Sequence, residues 1–186
     1  PGLGAEVIRG LGGAAVNIPG AEVFAALQQG RIDATEWVGP WNDLAFGFHK
    51  IAKYYYYPGF HEPGPVLSVG FNLELWNSLS KSHQEILRLA CAAENSISLA
   101  EFNTRNAAAL DTMVNDHKVD IRPYPDEVLK KLGEVSGQVV AKAGDENEFS
   151  RRVYKSYMAA RQKSNDWYTI ADQAYQDARK LPFHYE

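Results

Sequence analysis

Apolar residues along this chain recur first at helical and then at strand spacing, in quick alternation. Leu3, Val7, Ile8 and Leu11 share one face of a predicted helix over 3–11, which Gly12-Gly13 ends. Residues 14–18 form a compact apolar run that reads as a strand, and Pro19-Gly20 turns the chain into a helix over 21–29. Val23, Phe24, Ala26 and Leu27 lie together on that helix, and Gly30 stands where a helix end takes a positive φ. Ile32 and Ala34 then alternate with Asp33 and Thr35, which predicts a second strand over 32–37. Helix, strand, helix, strand with short connections is the rhythm of a parallel α/β sheet. A strand ahead of Pro1 would complete the unit.

A short helix is predicted over 40–52. The run Tyr54-Tyr55-Tyr56-Tyr57 is strongly β-prone and closes on Pro58-Gly59. Residues 60–65 read as extended, because positions before proline avoid the α region. A strand over 66–72 and a short helix over 73–79 follow. From Lys81 to Asp116 there is no Gly or Pro, and Ile86, Leu89, Ala93, Ile97 and Ala100 recur at helical spacing. One unbroken helix there would be about 50 Å long at roughly 1.5 Å per residue, enough to span two lobes unless it is kinked. Ser82 with Glu85 fits a capping box at its start. Residues 119–122 read as a strand ended by Pro123. Three helices near 125–143, 146–163 and 165–179 complete the chain, with an aromatic set (Tyr154, Tyr157, Trp167, Tyr168, Tyr175) that needs packing partners. Three segments emerge: an α/β piece over 1–55, crossover strands and the long helix over 56–122, and C-terminal helices over 123–186.

At 186 residues, 45% hydrophobic and 23% charged, the chain has an ordinary globular composition and can bury a sizeable core. Its net charge of −4 argues against nucleic acid or an anionic membrane as the main partner. No apolar run of about 18 residues predicts a membrane-spanning helix. The single cysteine, Cys91, cannot form an internal disulfide and reads as a small buried apolar group. The chain opens on Pro1 rather than Met, as a processed or truncated segment would, so a missing targeting signal carries no information.

The candidate chemistry centres on two acids at turns. Glu36 leaves the second predicted strand beside Trp37 and, after a Gly-Pro turn, Trp41; Glu62 follows His61 and precedes Pro63. A carboxylate walled by indoles is costly to desolvate without a partner. Two acids brought together repel, so one takes a proton or a cation joins them, and oxygen donors of this kind suit Na⁺, Ca²⁺ or Mg²⁺. Two separate surface acids on loops would carry the same spacing. Trp37, Trp41 and the tyrosine run would serve equally as a ligand wall or as core. His49 and His61 are candidates for acid–base work, but no nucleophile motif, P-loop or dinucleotide fingerprint accompanies them.

The string Ala25-Ala-Leu-Gln-Gln-Gly-x-Ile-Asp33 resembles the signature of the DctP-type solute-binding proteins of TRAP (tripartite ATP-independent periplasmic) transporters. Pro1-Gly2 before a helix, Val16-Asn-Ile-Pro19, Trp76-x-x-Leu79 and Gln84-x-x-Leu87 follow the family's order. The fuller strings Ile32–Asp43 and Lys53–Gly64 resemble the branch that binds 2-oxo acids such as pyruvate. The resemblance covers the chain but only the C-terminal half of the family's length. It implies part of a two-lobed α/β clamshell of the periplasmic-binding-protein kind, with a long lobe-spanning helix and a helical C-terminus. It also implies a periplasmic, non-catalytic receptor for a small 2-oxo or 2-hydroxy monocarboxylate, working with TRAP membrane subunits.

By the same resemblance Na⁺ or Ca²⁺ bridges protein and substrate. Glu36, the Trp37 backbone oxygen and Glu62 are then metal ligands, and Glu36 and Trp37 also meet the substrate. A Gln ligand and a substrate-clamping Arg of the family would precede Pro1. The alternative is a metal-assisted carboxylate-processing enzyme using Glu36 and Glu62 with His61. The C-terminal aromatic residues would also allow a homodimer.

Overall fold

The computed structural model describes residues 2–61 and 63–183. Its Cα positions group into two compact units, Val16–Leu129 and the pair of segments Pro1–Ala15 with Lys130–Glu186.

In the unit Val16–Leu129, α2 (Gly20–Gln28) buries Val23 and Ala26 and ends as the sequence predicts. Gly30 has φ +69°, its amide donates to Leu27 O at 3.2 Å and the Arg31 amide to Ala26 O at 2.9 Å, satisfying two orphan carbonyls. The predicted helix over 40–52 is two pieces, α3 (Pro40–Ala45) and a 3₁₀ turn (Phe48–Lys50), parted by Gly47 at φ +80°. Next come β1 (Tyr54–Tyr57), α4 (Leu73–Ser78), α5 (Lys81–Asn115) and β2 (Asp120–Pro123). The two strands pair in parallel, Tyr54 opposite Asp120 through Tyr57 opposite Pro123. The two strands found among the described residues do pair in parallel, but they are not those on which the parallel sheet was expected, 14–18 and 32–37.

The strands expected over 14–18, 32–37 and 66–72 are irregular. Alternation identifies a face, whereas a strand also needs a neighbour to complete its ladder, and Val16 and Val66 stand exposed. The cap of α5 shifts by two residues from the expected box: Ser80, not Ser82, accepts from the His83 amide at 3.2 Å. Gln84 is buried near this end and donates to Trp76 O at 2.7 Å, which ties α4 to α5 and explains the Trp76 and Gln84 motifs. Farther along α5, Ile86, Leu89, Ile97 and Leu99 are exposed, and so is Cys91. The expectation of a buried cysteine is thereby corrected: helical periodicity places Cys91 on α5 but brings nothing against that turn. Burial returns at Ala109 and Met113, where α3 packs on the helix.

In the other unit, α1 (Leu3–Gly10) ends on Gly12 at φ +89°, with Gly13 donating to Ile8 O at 2.9 Å. The helix α6 (Asp126–Gly144) starts in the first unit and continues into this one, where it buries Leu132 and Val135. It is followed by α7 (Glu148–Tyr168), a π turn (Thr169–Gln173) and α8 (Ala174–Ala178). The two helices expected over 146–163 and 165–179 are one nearly continuous rod, because no Gly or Pro interrupts residues 148–181. Tyr157, Trp167, Tyr168 and Tyr175 are all more than half exposed on it.

Candidate functional site

The segment 31–39 runs without regular structure from the end of α2 into α3 and carries the first predicted site residues. Glu36 is exposed, and its backbone oxygen accepts from the Thr35 hydroxyl at 3.1 Å. Trp37 turns inward. Its ring lies 4.8 Å from Phe46 and 5.9 Å from Phe48, and Phe48 stacks on Phe24 at 6.5 Å. Gly20 leaves room for the indole: a Cβ there would come within 2.8 Å of Trp37 Cη2. Trp37 is thus anchored by its side chain in an aromatic core, in the tilted and edge-on geometries such rings prefer. Its indole Nε1 is buried with no hydrogen-bond partner.

Trp41, the second predicted wall residue, packs edge-on against Phe102 of α5 at 5.0 Å, with the Arg105 guanidinium 4.7 Å from its ring centre. Its amide donates to Asn106 Oδ1 at 2.9 Å. Both tryptophans therefore brace the turn, Trp37 from below and Trp41 against α5.

The residue that organises this turn is Asp43, to which the sequence reading gave no role. The residue as a whole is 6% exposed. Oδ1 accepts from the amides of Val38 at 3.3 Å and Gly39 at 3.2 Å, and Oδ2 from the Tyr55 hydroxyl at 2.7 Å. Burial pushes the Asp43 carboxyl up, while Tyr55, Val38 and Gly39 pull it back down. Burial also raises the Tyr55 phenol, reinforced by its bond to Asp43. The sequence carries one signal for this pair, an acid in the first turn of a short helix between Trp41 and Leu44; that Tyr55 alone of the four tyrosines is half-buried is seen only in the structure.

The histidines lie against other rings. His49 lies 4.0 Å from His117 with planes 29° apart, and its Nδ1 is buried without a partner. Burial lowers its pKa, and the neighbouring His117 and Lys50 add to that. His61 lies tilted against Phe60 at 4.2 Å. Glu62, the second predicted metal ligand, lies outside the described residues. Among the described residues no cluster of three or more His, Cys, Asp or Glu is disposed to hold a metal ion. The donors that the family resemblance implies, a carboxylate at Glu36, a backbone carbonyl at Trp37 and a carboxylate at Glu62, would make a hard oxygen set, which by its chemistry suits Na⁺ or Ca²⁺ and not a metal that seeks sulfur or imidazole.

Residues 2–147 match the family described as bacterial extracellular solute-binding protein, family 7 (DctP). A monocarboxylate 2-oxoacid-binding periplasmic protein of Nostoc sp. is 34% identical over 177 residues, which is 95% of this chain and 48% of the relative. A TRAP periplasmic solute-binding protein from Pseudoalteromonas atlantica, solved with bound sodium and pyruvate, superposes with a TM-score of 0.84 at 32% identity over 95% of this chain and 54% of its own. Its counterpart from Colwellia psychrerythraea, solved with calcium and pyruvate, gives 0.86 at 33% identity over 96% and 54%. The chain therefore spans about half the length of these relatives and has the fold of that part of the periplasmic-binding-protein clamshell. Family membership of this kind gives no support to the reading of Glu36 and Glu62 as an enzyme's acids. With the match running over most of its length, the chain belongs to the DctP family, family 7 of the bacterial extracellular solute-binding proteins.

Proposed function

We propose that this chain is the C-terminal part of a periplasmic receptor that captures a small 2-oxo or 2-hydroxy monocarboxylate through a bound Na⁺ or Ca²⁺ and delivers it to TRAP membrane subunits. The observation that carries the reading is the likeness, at 32% and 33% identity over almost the whole chain, to two proteins solved with pyruvate and one of these cations. Glu36 and the Trp37 carbonyl supply two cation ligands and Glu62 a third; Glu36 and Trp37 also face the substrate. A cation there offsets the repulsion between the two carboxylates and holds an anionic ligand that they would otherwise repel. Capture works by closure of lobes, driven by tighter binding in the closed state. The exposed Tyr157, Trp167 and Tyr175 support a homodimer through the C-terminal helices.

Calorimetric titration of pyruvate with and without Na⁺ or Ca²⁺, on this chain and on the complete protein, tests the reading. The complete protein binds only with the cation present, and E36Q weakens that binding at least tenfold, by roughly 1.4 kcal/mol or more. Unchanged cation-dependent affinity in E36Q sinks it.

A further inference from the structure

We propose that Asp43, clasped to Tyr55, is a positioning group for the cation site, setting the direction of the Trp37 carbonyl. The inference rests on the site assignment above.

The geometry is that of one peptide plane. The Val38 amide that donates to Asp43 at 3.3 Å shares its peptide unit with the Trp37 carbonyl. The cis peptide among the described residues is Tyr57-Pro58, so the 37–38 bond is trans. In a planar trans unit the C=O points opposite to the N–H. Holding Val38 N–H toward the buried carboxylate therefore turns the Trp37 oxygen away from it. The second bond, from Gly39 N–H at 3.2 Å, fixes the next plane. Beyond it, Trp41 N–H binds Asn106 Oδ1 at 2.9 Å, and Asn106 comes so close that a Cβ on Gly39 would lie 3.3 Å from the same oxygen. The turn is thus held by α3 at one end and by α5 at the other.

The other Asp43 oxygen is held from β1. Tyr55 sits in the middle of that strand, and its 2.7 Å bond to Asp43 Oδ2 fixes the carboxylate that holds the Glu36-Trp37 turn. Neither Asp43 nor Tyr55 is a ligand in this reading; they act through the orientation of groups that are.

The test is Ca²⁺ affinity, by calorimetry on the complete protein with pyruvate present, in wild type, E36Q, Y55F and G144A. Y55F removes one hydroxyl and keeps the ring, so the variant stays folded; circular dichroism checks this. G144A, which disturbs the packing of α6 on α7 in the other compact unit, controls for a general loss of stability. The clasp predicts a roughly tenfold weakening in Y55F, the range seen when a ligand's supporting partner is lost, with G144A at the wild-type value. Unchanged affinity in E36Q refutes the site assignment itself. Loss in E36Q with wild-type affinity in Y55F, or equal weakening in Y55F and G144A, overturns the clasp and leaves the assignment standing.

Discussion

Asp43 is almost wholly buried and still accepts three hydrogen bonds, so its protonation is tied to folding. Its folded-state pKa stands above the ordinary 3.8, with burial as the main cause. A carboxyl raised in this way binds its proton more tightly in the folded chain than in the unfolded one. Its favourable contribution is full below 3.8 and is lost as pH rises through the raised value. The stability of wild type relative to D43N is accordingly expected to fall as pH climbs from below 3.8 upward. Urea midpoints of the two proteins across that range check it; a pH-independent difference contradicts it. His49 has the opposite sign. Its pKa lies below the ordinary 6.5, so its contribution is full above 6.5 and lost as pH falls through the lowered value. At this scale the sequence pointed to Glu36 and Trp37 through the family string and passed over Asp43, because an acid's burial depends on Tyr55 twelve residues away and on how the turn folds back.

Elements defined by their own periodicity were legible: α1, α2, α4 and α5 lie within a residue or two of expectation. Strands were legible only where a partner arrives. The tyrosine run meets residues 120–123 and becomes β1, whereas 14–18, with an equally apolar sequence, meets no ladder among the described residues. Helix–helix spacing was also hidden, since it depends on which small residue faces which ring. Gly144 of α6 faces Tyr154 of α7 so closely that a Cβ would lie 2.6 Å from the ring's Cγ. The nearest atoms belong to the root of the ring and cannot swing aside. G144A is therefore expected to lower stability by about 1–3 kcal/mol, the usual cost of overpacking. A denaturant titration reads this directly, and a wild-type midpoint would show that α6 and α7 separate without cost.

At the scale of the molecule, each compact unit leaves large apolar side chains uncovered. In Val16–Leu129, Val66 and Leu67 are 96% and 88% exposed and Ile97 and Leu99 stand out along α5; in the other unit, Trp167 and Ile170 are exposed along the C-terminal rod. Exposed apolar residues in such number favour covering by another surface. Studied alone, this chain is expected to associate, sedimenting as species heavier than its 20.7 kDa. A single species of that mass at the highest soluble concentration would count against it. Composition gave no warning, because 45% hydrophobic residues suffice for a core and do not say where they lie.

The bond between Asp43 and Tyr55 also constrains descent. Replacing Tyr55 alone leaves a buried carboxylate short of a donor, and replacing Asp43 alone leaves a half-buried hydroxyl and two amides short of an acceptor. Each single step passes through a less stable protein, so the two positions are expected to change together. A lineage that changes one is under pressure to change the other, although twelve residues separate them in the chain.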